Sequence, residues 1–243
     1  MAVVNGLVMV EGLPGSGRST TARGIASWLA DQQVEVEHWA EGRVDHPVDH
    51  PVGAEQVVVL ETADLLALAA ESPAMSQALL RAAEQHGDVW LVRQERHPDL
   101  PLALVERIVD AARGTRVPAD VSTALVADRW ERFGATLPRG VHVWESVLLR
   151  SPDADVVARL VEAVRPHAPA LVYLDHERDA ASTRQGQRRG QELAVVEALD
   201  LPTLVLPVGD GRWDDHESAV RDFVADHLGL GDRPGLTESE QVA

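Results

Sequence analysis

Two residue types are missing outright from the 243-residue chain. There is no cysteine, which excludes a disulfide framework and any thiolate metal site. There is also no lysine, so all 22 basic residues are arginine. No apolar run approaches the length of a membrane span. The N-terminus runs into a strand-like segment without a basic region or cleavage site, and a cytoplasmic protein is the simplest expectation. Positive charge is scarce, with a net charge of -17. That argues against a general nucleic-acid surface, since phosphate backbones need clustered cations. A small anionic ligand is still compatible, because backbone N–H groups and a few arginines make a local positive site. What is present is ordinary for a globular chain: 45% hydrophobic and 25% charged residues.

"VMVEGLPGSGRSTTARGIASWL" carries the strongest local signal. The pattern G-x-x-x-x-G-K-[ST] is met at Gly12, Gly17 and Ser19, with Arg18 at the lysine position. Glycines at 12, 15 and 17 permit positive φ and a close approach of backbone to phosphate oxygens. The helix that follows aims its free N–H groups at the same place. The cradle is therefore expected from Gly12, Leu13, Pro14, Gly15, Ser16, Gly17, Arg18, Ser19 and Thr20, with Ser19 offering its hydroxyl to Mg²⁺. Arginine keeps the charge of the lysine and can bind phosphate bidentately, although its planar fork is bulkier. In a chain where no lysine survives, the substitution at 18 is weak grounds for lost activity.

Apolar runs and helical spacing alternate along the chain. Strands are expected at Val4–Glu11, around Val34–His38, at "VHVWES" ending in Glu145, at "ALVYLD" ending in Asp175, and at "LPTLVLPVG". Helices are expected after the loop, around Asp153–Val164 and at Asp215–Leu228. Between the second and third of these strands, about 57–138 reads as a helical insertion: Ala- and Leu-rich helices closed by Gly87, then stretches around Pro101–Arg113 and Pro118–Phe133. "DVWLVR" within it fits a short strand or an extended loop. The tail at 231–243 is polar and expected to be disordered. Strands alternating with helices imply an α/β fold: one domain over 1–230, with a parallel sheet covered on both faces. Such sheets bind ligands at the carboxyl ends of their strands. Here those ends carry Glu11, Glu41, Glu145 and Asp175.

The loop "GLPGSGRST" resembles that of the P-loop kinases, the nucleoside- and nucleotide-kinase type in particular. "PALVYLDHERDAASTRQGQRR" is similar to the strand and arginine-bearing lid of thymidylate kinases, and "LPVGDGRWDDHESAVRDFVADHL" to their terminal strand and helix. "AEGRVDHPVD", "RWERFG" and "VWESVLLRSP" look like segments of uncharacterised bacterial P-loop proteins with a glutamate after the third strand. The departures are Arg18 and the absence of an Asp-Arg pair after that strand. The resemblance implies a P-loop NTPase fold with core order 2-3-1-4-5, a lid over about 176–192, and ATP (or GTP) with Mg²⁺. It implies that Glu145 acts as general base or orients Mg²⁺ through water. A carboxylate facing the γ-phosphate can accept the proton of an attacking hydroxyl. Arg184, Arg188 and Arg189 match the lid, where a guanidinium would neutralise charge on the transferred group; a solvated helix face carries arginines equally well. Asp175 reads rather as a structural acid.

Glu41, Asp45 and His46 follow strand two, where kinases of this kind hold the acceptor. The prolines of "DHPVDHP" prevent the helix that would set His46 and His50 on one face for zinc. The insertion would build the acceptor pocket, with Trp90, Arg93, Arg96, Arg129, Trp130 and Arg132 as candidate contacts; Trp130 and Phe133 are better explained as core. The expected activity is transfer of a γ-phosphoryl group to a hydroxyl of a small molecule such as a nucleoside, sugar, antibiotic or biosynthetic intermediate. A nucleotide-binding regulator without catalysis and an NTP hydrolase are the alternatives. By resemblance, a homodimer is among the expected assemblies.

Overall fold

Strand β1 (Gly6–Gly12) is buried along its whole length, as a strand covered by helices on both faces must be. In the computed structural model, which describes residues 4–43, 45–49, 57–113, 115, 117–150, 153–176, 184–209 and 213–231, the chain divides into two compact units. One comprises Met1–Arg43 and Trp130–Ala243, the other Val44–Arg129.

The first unit is built on five strands: β1, β2 (Val36–Trp39), β6 (Val141–Glu145), β7 (Pro169–His176) and β8 (Thr203–Val208). All neighbours are parallel and the order is β2-β6-β1-β7-β8. Counted as core strands, that is the expected 2-3-1-4-5 of a P-loop NTPase fold. Alternation along the strands sorts their side chains. Val8 and Val10, Val141 and Val143, and Val172 and Leu174 pack with Ala22, Ile25 and Leu29 of α1 (Arg18–Asp31) and with Val220 and Val224 of α8 (Trp213–His227). On the opposite face, Trp144 meets Trp130 edge-on at 5.2 Å and Phe133 at 4.7 Å; both belong to α5 (Ala119–Gly134). Each such buried side chain contributes about 1.5–3 kcal/mol. Both aromatics are core, as their helical spacing indicated. α6 (Ala154–Ala163) starts at Asp153, whose carboxylate accepts the N–H groups of Asp155 and Val156 at 3.1 Å. Edge strand β8 carries Pro207, a residue tolerated only where a ladder hydrogen bond is not required.

The second unit corrects the expectation of a helical insertion. Beside α2 (Thr62–Glu71), α3 (Pro73–Ala82), α4 (Leu102–Ala111) and the start of α5, it holds an antiparallel sheet of order β3-β5-β4. β3 is Val57–Glu61, β4 Ala83–His86 and β5 Val89–Arg93. The run Val57-Val58-Val59-Leu60 prefers the pleated surface because β-branched side chains pack well there. Its partner is the segment "DVWLVR", pairing Val57 with Arg93 through Glu61 with Val89. Gly87 is not a helix cap; at φ 57° it turns the β4–β5 hairpin. The helix before it stops at Ala82. Among the described residues no helix is long and apolar enough to cross a membrane.

Candidate phosphate loop and active site

The loop after β1 depends on glycine at Gly12. Its φ is 142°, and a Cβ there would lie 2.6 Å from the Leu174 carbonyl oxygen and 2.8 Å from Ser16 Oγ. Any larger residue would have to displace backbone of the adjacent strand. The loop turns where the Ser16 N–H donates to the Leu13 carbonyl at 3.1 Å. It enters α1 through Gly17 in the left-handed region, and no side chain caps that helix. The free N–H groups of its first turn are thus left for an anion. Pro14 and Gly15 are exposed at the tip while Leu13 and Ser16 are buried. Ser16 Oγ has no hydrogen-bond partner among the described residues.

Glu145 ends β6, beside Val10 of β1 in register. It is 3% exposed, and its Oε1 accepts the hydroxyl proton of Ser19 from the first turn of α1. Its Oε2 faces Nε2 of His38, 3.7 Å away on β2. The chain then turns at Ser146, φ 59°, whose N–H donates to the Val10 carbonyl at 3.1 Å. Loop, hydroxyl and carboxylate therefore meet at the carboxyl edge of the sheet. Thr20 is exposed on the same first turn.

The Arg18 guanidinium lies 3.3 Å from Glu41, the residue expected to contact the acceptor. Exposed ion pairs of this kind contribute about 0.2–1 kcal/mol. Releasing the arginine by Glu41→Gln is therefore expected to tighten pyrophosphate binding at the loop about two- to fivefold at low salt. Titration calorimetry checks this; unchanged or weaker affinity would show that the pair does not compete with the phosphates.

Glu11, on the last turn of β1 before Gly12, is 2% exposed. Its Oε1 accepts the Leu148 N–H at 2.7 Å. Burial pushes its carboxyl up from 4.5 to about 7, opposed by the Leu148 and Val147 N–H groups and by Arg18, and aided by the charge of Glu192. A raised folded-state value means stability present below pH 4.5 and lost progressively as pH rises to about 7. Glu11→Gln removes the ionisation and keeps an acceptor for Leu148. Urea unfolding should show the variant gaining on the parent by on the order of 3 kcal/mol across that window. A pH-independent difference would refute the assignment.

Glu192, 1% exposed on α7 (Arg184–Ala198), takes the Tyr173 hydroxyl at 3.0 Å and Arg188 Nε at 2.7 Å. Burial, with the neighbouring Glu192, pushes the Tyr173 phenol up. Arg189 clamps Asp175 with two bonds of 2.5 and 2.7 Å, giving Asp175 the structural role its position suggested. Of the expected lid arginines, Arg188 is thus held by Glu192, while Arg184 is exposed at the start of α7. Residues 177–183 of the expected lid, like the tail from 232, lie outside the described residues. A crevice of about 200 Å³ opens between α1 and α8, walled by Gly24, Ile25, Leu206, Val208 and Val220.

Arg132 is exposed on α5 in the first unit, and the remaining candidates belong to the second. His46 is buried, and its Nδ1 accepts the N–H groups of Val48 and Asp49 at 3.1 and 3.0 Å; it organises the turn that follows Pro47. Asp45 is exposed beside it, and His50 lies outside the described residues. Arg93 is buried between Asp128 at 2.7 Å and Glu84 at 3.5 Å, and Arg96 bridges the same two acids. Arg129 is buried as well. Trp90 donates to the Thr62 hydroxyl at 3.1 Å. Sequence reasoning set Glu11 among the strand-end acids without a specific role and gave none to His38 or Glu192. Of the last two, only Glu192 left a readable trace, the four-residue helical spacing from Arg188.

No family model matches the chain, and no curated protein matches it. Similar solved structures include the protein APE1195, at 14% identity and a TM-score of 0.44, covering 93% of this chain and 97% of that one. The thymidylate kinase of Ehrlichia chaffeensis is 13% identical with a TM-score of 0.40, covering 92% and 98%. That of Candida albicans is 10% identical with a TM-score of 0.42, covering 93% of each. At such identities, what this chain does has to be argued from its own residues.

Proposed function

We propose that this protein transfers the γ-phosphoryl group of ATP or GTP to a hydroxyl of a small molecule. The observation that carries the reading is the Ser19–Glu145 contact across the mouth of a loop built on positive-φ glycines. Backbone N–H groups of Gly15 and of Gly17 to Thr20 hold the phosphates, and Arg18 swings from Glu41 onto them. Ser19 donates its proton to Glu145 and so keeps lone pairs free, which suits the hydroxyl to a hard cation. When bound there, Mg²⁺ supplies charge neutralisation at the phosphate oxygens. Glu145 accepts the proton of the attacking hydroxyl at its carboxylate while that oxygen bonds to phosphorus and the nucleoside diphosphate leaves. The acceptor class extends over nucleosides, sugars, antibiotics and biosynthetic intermediates.

The Arg18–Glu41 pair favours a second reading, a nucleotide-binding protein without turnover. Calorimetric titration of ATP and GTP with and without Mg²⁺, followed by transfer from γ-labelled ATP to a panel of hydroxylated metabolites, separates the cases. Binding with transfer supports the kinase; binding without it supports the second reading; phosphate release without acceptor identifies a hydrolase. Absence of binding at millimolar nucleotide rules out all three.

A further inference from the structure

We infer that His38 is a positioning residue for Glu145, holding the carboxylate from the side opposite Ser19. This rests on the phosphotransferase reading of the same site. The register of the sheet creates the arrangement. His38 of β2 pairs with Val143 of β6, and side chains two residues apart on a strand share a face. His38, Val143 and Glu145 therefore line one face, the one against which α1 brings Ser19. Nε2 of His38 is buried and makes no hydrogen bond among the described residues, whereas the side chain as a whole is 21% exposed. A buried donor left unmade costs about 1–3 kcal/mol. The carboxylate oxygen it faces, Glu145 Oε2, is 3.7 Å away; an approach of roughly 0.5–1 Å completes the bond. Contacts of this kind are commonly long before substrate arrives and tighten in the complex.

The surroundings favour a neutral donor. Burial lowers the His38 pKa, with Arg23 and Arg43 acting in the same direction against Glu145. A neutral imidazole protonated at Nε2 offers one N–H, aimed at Oε2, and leaves the carboxylate charged. The end of β2 is fixed around it: Arg43 donates to the His38 carbonyl at 3.0 Å, and Trp39 donates to His142 Nδ1 at 3.1 Å. Gripped at one oxygen by Ser19 and at the other by His38, Glu145 cannot rotate out of line with the acceptor. Removal of His38 frees that rotation. The loss falls on turnover and leaves nucleotide binding alone, because no phosphate-binding group moves.

The test combines single-turnover phosphoryl transfer or release from γ-labelled ATP with calorimetric ATP binding, for His38→Ala and His38→Gln in parent and Glu145→Gln backgrounds. His38→Ala is expected to lower turnover about 10- to 100-fold with the ATP Kd within about twofold. His38→Gln, whose amide reaches the position of Nε2, is expected to recover most of the loss. In the Glu145→Gln background, His38→Ala is expected to add little. Equal losses in both backgrounds, a Kd that weakens in step with turnover, or a glutamine variant no better than alanine would each overturn the inference. Imidazole ¹⁵N spectra of the parent and Glu145→Gln proteins read the contact without turnover: the Nε2 resonance should shift between them, and an unchanged resonance is a further refutation. If the parent neither binds nor consumes ATP, the phosphotransferase reading fails and the positioning role with it. If ATP is consumed and His38→Ala is as fast as the parent, only the His38 inference fails.

Discussion

Glu145→Gln is expected to lower phosphoryl transfer at least about 100-fold, the scale on which a positioned general base acts, and to leave ATP affinity within about threefold. The two side chains are nearly isosteric, so the 3%-exposed pocket at the end of β6 keeps its volume. The amide oxygen still accepts the Ser19 hydroxyl proton. What disappears is the negative charge and with it the capacity to take a proton from an attacking hydroxyl. The glycine loop and the N–H groups of α1 are untouched, so phosphate binding persists. Single-turnover transfer and calorimetry measure the two halves separately, and thermal unfolding confirms the fold. Turnover equal to the parent's would remove Glu145 from the mechanism; a large fall in affinity would recast it as a binding residue.

Gly134→Ala is expected to be the most damaging single methyl in the first unit. Gly134 ends α5 against the end of α6, and a Cβ there would lie 1.7 Å from the Ala163 carbonyl oxygen and 2.8 Å from its carbonyl carbon. Both are backbone atoms of a helix terminus, so no rotamer change relieves the clash and the two helices have to separate. Overpacking of this kind costs about 3 kcal/mol, or a fall of roughly 10 °C in Tm for a chain of this size. Gly24→Ala is the matched control. It sits inside α1 with nothing within 4 Å of its Cβ position, and there alanine is favoured over glycine by about 0.5–1 kcal/mol. Comparable melting of the two variants would refute the close α5–α6 packing.

The glycine loop was legible because its chemistry is local: three glycines, a hydroxyl and a helix start within nine residues of sequence. The parallel sheet was legible because strands and helices alternate, and its order 2-3-1-4-5 was what the resemblance to P-loop kinases implied. Val57–Glu61 is ambiguous in sequence because an apolar run of this length suits a strand as well as the start of a helix. Its antiparallel partner, Val89–Arg93, is what selects the strand. In sequence Arg18 and Glu41 are two separate charges near a sheet edge, and only the fold sets them 3.3 Å apart. Likewise, only the fold sets Arg93 between Asp128 and Glu84.

By itself, then, the sequence determined the strand–loop–helix cradle, the alternation of strands and helices and the carboxylate at the end of the third core strand. These depend on propensity, periodicity and the steric freedom of glycine, all properties of contiguous residues. Only the tertiary structure decided what surrounds that carboxylate. Inserting β6 between β1 and β2 brings Glu145 beside Ser19 and His38, and burying Glu11 at the end of β1 raises its pKa. Hydrogen-bond partners and desolvation are set by which distant segments the sheet places side by side, and no window of sequence contains both members of such a pair.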